Sequence, residues 1–349
     1  MNTLTNHTHT VETCALTAKD FASDQTVRWC PGCGDYSIIK QVQQTLADVG
    51  VPRENVVFVS GIGCSSRFPY YMNTFGMHSI HGRATAIGSG LKAARPDADV
   101  WIITGDGDAL AIGGNHLIHL LRRNFNVNVL LFNNEIYGLT KGQYSPTSPK
   151  GKVSKTSPMG TIDSPFDPAS LAIGADGSFV ARALDRNPAV LRDVIKAAHA
   201  HKGTSFVEIY QNCVVFNNEN FSKFSDKGLK EENTIILEQD KPLLFGANQD
   251  KAIVLDGLTP KVVSFDPAAG VPKNVWIHDK HDKVKGMILA QFFGPKSQNE
   301  LPRPFGVIYE EARPTYEEEL ESQIQQALEK DPGQTLESLL EGNHVWEIN

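Results

Sequence analysis

Val100-Trp101-Ile102-Ile103-Thr104-Gly105-Asp106-Gly107 and Val127-Asn128-Val129-Leu130-Leu131-Phe132-Asn133-Asn134 decide the fold, with 25 residues between Gly107 and Asn133. Each is a short apolar run that stops at glycine or polar residues, the pattern of a buried strand. The spacing between them predicts a helix from about 109 to 123. The alternation continues upstream, with a helix over 36–49 opened by Asp35 and closed by Gly50 and Pro52, a strand over 56–60 and a small-residue helix over 83–94. Downstream it predicts a strand over 178–184, a helix over 189–201 and a strand over 205–210. Strands alternating with helices imply an α/β fold, a doubly wound and mainly parallel sheet with helices on both faces. Ligands of such sheets sit beyond the carboxyl ends of the strands. Cys64, Asp106, Asn134 and Cys213 all follow predicted strands, so one shared site is expected.

Composition bounds the rest. The 349 residues are 40% apolar and 21% charged with a net charge of −7, ordinary for a soluble globular protein and unsuited to nucleic acid. No basic n-region precedes an apolar h-region at the start, and no run of apolar residues is long enough to span a membrane, so neither export nor membrane insertion is expected. Five cysteines, an odd and widely spaced set, suit a reducing cytoplasm rather than a disulfide framework. Three segments are expected: a polar, loosely ordered arm over 1–26, the α/β domain over 27–222, and an irregular C-terminal extension over 223–349. Within the extension, 314–330 reads as an acidic helix, a solvated face or a subunit contact. The long Gly, Ser, Pro and Lys-rich stretch over 138–168 reads as a functional loop.

A magnesium-bound diphosphate needs hard oxygen ligands in octahedral geometry. Asp106 offers a carboxylate at one strand end, Asn134 an amide oxygen at the next, and Ile136 a backbone carbonyl. Gly105, Gly107 and Asp108 bring the main chain close, and Tyr137-Gly138-Leu139-Thr140 offers N–H groups and a hydroxyl to the phosphates. Taken singly, Gly-Asp-Gly is a turn and Asn-Asn a loop; the strand contexts and the spacing favour a cofactor site. The pair resembles the signature of the thiamine diphosphate enzymes.

Cys30-Pro31-Gly32-Cys33 taken singly is open between zinc, a redox dithiol and an iron–sulfur cluster. The further cysteines, Cys64 and Cys213, are single and distant, unlike the paired knuckles of a zinc ribbon. Cys64 sits in Gly61-Ile62-Gly63-Cys64-Ser65-Ser66, at the strand mouth where the cofactor is expected. A cluster there would give electrons from a decarboxylated substrate somewhere to go, so one [4Fe–4S] site on Cys30, Cys33, Cys64 and Cys213 is favoured over zinc. Cys14, in the polar arm, reads as a spare thiol.

Trp29-Cys30-Pro31-Gly32-Cys33-Gly34, Gly61-Ile62-Gly63-Cys64, His81-Gly82-Arg83-Ala84, Tyr137-Gly138-Leu139-Thr140-Lys141-Gly142-Gln143 and Gln211-Asn212-Cys213 are similar to runs of the β subunits of 2-oxoacid:ferredoxin oxidoreductases. The resemblance implies a diphosphate-type domain carrying thiamine diphosphate, Mg²⁺ and one [4Fe–4S] cluster. It implies an α subunit that supplies the pyrimidine-binding half of the site, in an (αβ)2 assembly; only one diphosphate-type unit is evident in this chain. It further implies oxidative decarboxylation of a 2-oxo acid to its acyl-coenzyme A, with electrons passed to ferredoxin at a potential low enough to permit carboxylation in reverse. Leu139-Thr140-Lys141-Gly142-Gln143-Tyr144-Ser145-Pro146-Thr147 looks like the 2-oxoglutarate subgroup. A dicarboxylate needs a cation for its far carboxylate, for which Arg67 and then Lys141 are the candidates. His81 is expected to touch cofactor or substrate, with Gly63, Cys64, Ser65 and Gly82 lining the cofactor. The alternatives are the same chemistry on pyruvate, branched-chain or aryl 2-oxo acids, or a cluster-free thiamine decarboxylase subunit.

Overall fold

The structure, a computed structural model, describes residues 16–294, 301–333, 335–342 and 346. Cys14 and the first 15 residues of the polar arm lie outside the described residues. The elements that matter are β1 (Val56–Ser60), β2 (Phe75–His78), β3 (Asp99–Gly105), β4 (Val127–Asn133), β5 (Phe179–Leu184), β6 (Thr204–Tyr210), β7 (Thr234–Ile236), β8 (Leu244–Phe245), β9 (Lys251–Asp256), β10 (Thr259–Ser264) and β11 (Arg303–Glu310). Among the helices that pack on the main sheet are α1 (Asp35–Val49), α2 (Ala84–Ala94), α3 (Gly114–Arg123), α4 (Pro168–Gly174) and α5 (Pro188–Ala200).

The main sheet is eight-stranded in the order β2-β1-β3-β4-β6-β5-β11-β7. Every neighbour pairs parallel except β11, which runs antiparallel to β5. Side chains alternate across each strand, so a buried strand feeds two cores. From β3, Val100 and Ile102 enter one core while Trp101 and Ile103 enter the other. From β4, Val129 and Leu131 oppose Leu130 and Phe132 in the same way. Leu117, Leu120 and Leu121 of α3 and Ala169, Ala172 and Ile173 of α4 cover the first face. Ile38, Val42 and Leu46 of α1 and Leu191, Val194 and Ile195 of α5 cover the second. Each fully buried aliphatic side chain contributes roughly 1.5–3 kcal/mol, which is what holds the strand ends in register.

Three expectations need correction. The arm is not loose up to residue 26: Phe21 is fully buried among α1 and the sheet, and Ser23 N–H donates to Tyr71 O at 3.1 Å. The helix expected from 109 begins as one wide turn, Asp108–Ile112, before α3. The segment after 222 is no appendage, because β11 and β7 complete the main sheet and β8, β9 and β10 form a second, three-stranded one. The helix Tyr316–Lys330 does present a solvated face; Ile324 and Leu328 are exposed, while Glu317 accepts from Asn126 N–H at 3.0 Å. No helix among the described residues is long and apolar enough to cross a membrane.

Candidate active site

The carboxyl ends of β1, β3, β4 and β6 open onto a cavity of about 440 Å³. Gly63, Cys64, Ser65, His81, Gly105, Asp106, Gly107, Asp108, Asn134, Ile136, Tyr137, Gly138, Leu139 and Thr140 line it. Beside it lies a second cavity of about 240 Å³, bordered by Cys30, Cys33, Cys64 and Cys213. Cys64, Asn134, Gly138, Leu139 and Gln211 border both. A Cβ placed on Gly138 would lie 3.5 Å from Cys213 Sγ and 3.7 Å from Cys64 Sγ. The four cysteines, from three separate stretches of the chain, thus border the cavity whose wall also bears Asn134.

Asp106 is 3% exposed, and burial pushes its carboxyl above the usual carboxylate range. Its Oδ2 accepts from Ser145 Oγ and Thr147 Oγ1, both at 2.6 Å. Thr147 Oγ1 also reaches Asn133 Oδ1 at 2.9 Å, and Asn133 Nδ2 donates to Glu208 Oε1 at 2.8 Å. Oδ1 of Asp106 has no side-chain donor among the described residues, so the two hydroxyls anchor one oxygen of the carboxylate. Thr147→Val removes one donor from a buried carboxylate, a loss of about 1–3 kcal/mol. If Asp106 serves the magnesium-bound diphosphate expected from the sequence, equilibrium dialysis should show thiamine diphosphate binding in the presence of Mg²⁺ weakened about tenfold, a factor equal to about 1.4 kcal/mol.

Asp108 has a different task. Its Oδ1 accepts from Gly82 N–H at 2.7 Å and Ile62 N–H at 3.1 Å and lies 2.7 Å from His81 Nδ1, while Oδ2 accepts from Thr104 Oγ1 at 2.7 Å. These contacts use the carboxylate, so Asp108 pins three loops together and orients the His81 ring, leaving Nε2 available. Gly82, expected to line the cofactor, does not border the cavity itself and donates to Asp108. Gly107 must be glycine: a Cβ there would fall 2.2 Å from the Tyr137 ring, whose OH donates to Gly107 O at 3.0 Å. Gly107→Ala should push the Tyr137 ring into the cavity at a cost of about 1–3 kcal/mol, seen as lowered thiamine diphosphate affinity in a protein that still folds.

In the cysteine cavity, burial first, then the Asp35 carboxylate and the neighbouring thiolates, push the Cys64 thiol up to about 12, and the same causes raise Cys33. Thiols packed this way ionise together only beside compensating positive charge. Among the described residues no three His, Cys, Asp or Glu side chains converge as they would around a single ion. Trp29 Nε1 donates to Cys64 O at 2.7 Å and holds the two cysteine-bearing loops together.

The cations land elsewhere than expected. The 3-10 helix Ser65–Tyr71 folds Arg67 back, so that it borders the cysteine cavity and donates from Nε to Tyr71 OH at 2.9 Å. Lys141 is exposed, at a positive φ of 78°, one residue beyond Thr140. Among the described residues neither lysine nor arginine lines the larger cavity. Ser145, Thr147 and Gln211 were not singled out from the sequence as site residues; the first two lie in the long loop flagged as functional, and Gln211 lies in the run that carries Cys213.

The family model of the thiamine pyrophosphate enzyme C-terminal TPP binding domain matches residues 61–209. The chain is 49% identical over 335 residues to 2-oxoglutarate oxidoreductase subunit KorB of Mycobacterium tuberculosis, covering 95% of this chain and 88% of the relative. It is 40% identical over 199 residues to the beta subunit of 2-oxoacid:ferredoxin oxidoreductase 2 of Aeropyrum pernix, covering 57% of this chain and 64% of the relative. A solved structure of the 2-oxoglutarate:ferredoxin oxidoreductase from Magnetococcus marinus, with 2-oxoglutarate, coenzyme A and succinyl-CoA bound, superposes with a TM-score of 0.75 at 30% identity, covering 97% of this chain and 98% of that one.

Proposed function

The chain belongs to the β subunits of the 2-oxoacid:ferredoxin oxidoreductases, and on that footing we propose that it serves the oxidative decarboxylation of 2-oxoglutarate to its coenzyme A thioester, with electrons leaving singly through a [4Fe–4S] cluster to ferredoxin. The observation that carries this reading is the common wall of the two cavities, Cys64, Asn134, Gly138, Leu139 and Gln211. Thiamine diphosphate, when bound, supplies the nucleophilic carbon and the electron sink that decarboxylation requires. The chain supplies the rest. Asp106, Asn134 and the Ile136 carbonyl give oxygen ligands suited to Mg²⁺, with Ser145 and Thr147 fixing the carboxylate. Gly138 to Thr140 would offer backbone N–H groups to the diphosphate, the N–H of Tyr137 being taken by Gln143 O at 2.8 Å. His81, held by Asp108, keeps Nε2 for a hydrogen bond to cofactor or substrate. Phe132 and Ile136, both buried, give the cavity an apolar wall, to which Leu139 adds a half-exposed side chain.

Cys30, Cys33, Cys64 and Cys213 hold the cluster in this reading, and Arg67 gives their cavity a nearby positive charge. The relatives named for 2-oxoglutarate favour that substrate. Among the described residues no lysine or arginine lines the larger cavity, and in this reading the α partner supplies the cation for the far carboxylate, with Lys141 as the contribution of this chain. The α subunit also supplies the pyrimidine-binding half, in an (αβ)2 assembly working in the cytoplasm, and the low-potential acceptor lets the reaction run towards carboxylation. The test is anaerobic purification with the partner, then assay with coenzyme A and a viologen dye. Iron, acid-labile sulfide and turnover on 2-oxoglutarate well above that on pyruvate are expected. Zinc without sulfide, or faster turnover on pyruvate, would overturn the cluster or the substrate respectively.

A further inference from the structure

We propose that Gln211 is a positioning residue that ties the cofactor cavity to the cysteine cavity and raises the reduction potential of the group the thiols hold. The inference rests on the reading above that this group is an iron–sulfur cluster.

Gln211 directly follows β6, is 2% exposed, and borders both cavities. Its Oε1 accepts from Asn134 Nδ2 at 2.8 Å. Its Nε2 donates to Asn212 O at 2.7 Å and to Cys33 Sγ at 3.1 Å. Asn134 Oδ1 in turn accepts from Ile136 N–H at 3.2 Å. The two ends of this chain have no choice of role. A backbone N–H only donates and a backbone carbonyl only accepts, so turning either amide over would set donor against donor or acceptor against acceptor. The main chain therefore decides that an N–H, and not the amide oxygen, faces the sulfur of Cys33.

That polarity has an electrical consequence. A cluster on four thiolates becomes more negative by one charge on reduction, and a hydrogen bond to a ligand sulfur stabilises the more negative state. The donor from Gln211 thus makes the cluster easier to reduce. The same side chain braces Asn134, the candidate magnesium ligand, so the amide that orients the diphosphate also faces the electron acceptor.

Two variants separate the two contacts. Gln211→Leu removes both at similar volume, whereas Gln211→Glu keeps an oxygen for Asn134 and removes the amide donor to sulfur. In redox titrations of the anaerobic holoenzyme followed by electron paramagnetic resonance, both variants should reduce at lower potential. The expected size is about a tenfold drop in the reduced-to-oxidised ratio at a fixed potential, which for one electron is about 59 mV. Thiamine diphosphate affinity measured with Mg²⁺ should fall about tenfold in Gln211→Leu and hold in Gln211→Glu. If Gln211→Leu loads no cluster, the potential of Gln211→Glu decides. Unchanged potentials in variants with wild-type iron and sulfide overturn the proposal, as does an equal loss of cofactor affinity in both. Absence of iron and sulfide from the wild-type protein would instead overturn the cluster reading itself, and this inference with it.

Discussion

Asp106→Asn is expected to fold normally yet retain no thiamine diphosphate, with 2-oxo acid turnover lowered more than 100-fold. Disturbing a group that merely supports a metal ligand costs about 10–100-fold, and this change removes the one carboxylate among the proposed oxygen ligands. The fold should survive because an amide oxygen still accepts from Ser145 and Thr147, and because a neutral side chain is easier to bury than a carboxyl already pushed up by desolvation. Melting curves check both halves of the expectation. Unliganded wild type and variant should melt alike. Thiamine diphosphate with Mg²⁺ at about 100 times its dissociation constant should add about 2.7 kcal/mol to the wild type alone. A variant stabilised equally by the cofactor would remove Asp106 from the metal site.

Cys213→Ser is expected to bring dye reduction down to background while leaving thiamine diphosphate bound. Cys213 borders only the smaller cavity, so its loss should spare the pocket that Asp106 serves. A serine hydroxyl is a poor substitute for a thiolate in a cluster, and iron and sulfide content should fall with activity. Cys64→Ser should abolish dye reduction too and, because Cys64 borders both cavities, should also weaken the cofactor. Undiminished dye reduction in Cys213→Ser would favour a cluster-free enzyme.

Much of this arrangement was legible in the chain because parallel, doubly covered strands announce themselves. The run at 56–60 matches β1, and the runs ending at Gly105 and Asn133 match β3 and β4 to within a residue, since each is apolar on both faces and stops at a polar loop. The residues at those ends line the cavity because strand ends converge in this fold. Less was legible where contacts are long-range or strands atypical. β11 opens with Arg303-Pro304 and contains Gly306, signals of loop rather than strand; Pro304 lies ahead of the pairing with β5, which begins at Gly306. β2 has four residues and exposed side chains, too little pattern to register. Ser145 and Thr147 meet Asp106 from 39 and 41 residues away through an irregular loop, which no local period reports. That Arg67 borders the cysteine cavity was not legible either, because a 3-10 helix containing Pro69 turns the chain after Cys64.

The place of β11 also bears on how the polypeptide can be made. Until Arg303–Glu310 has left the ribosome, β5 presents a row of unsatisfied backbone donors and acceptors along its free margin. The nascent protein must pass through a stage in which its thiol-bearing half is nearly built but its sheet is open to pairing with another copy. A fragment ending near residue 222 would be arrested at that stage, and self-association is its expected fate.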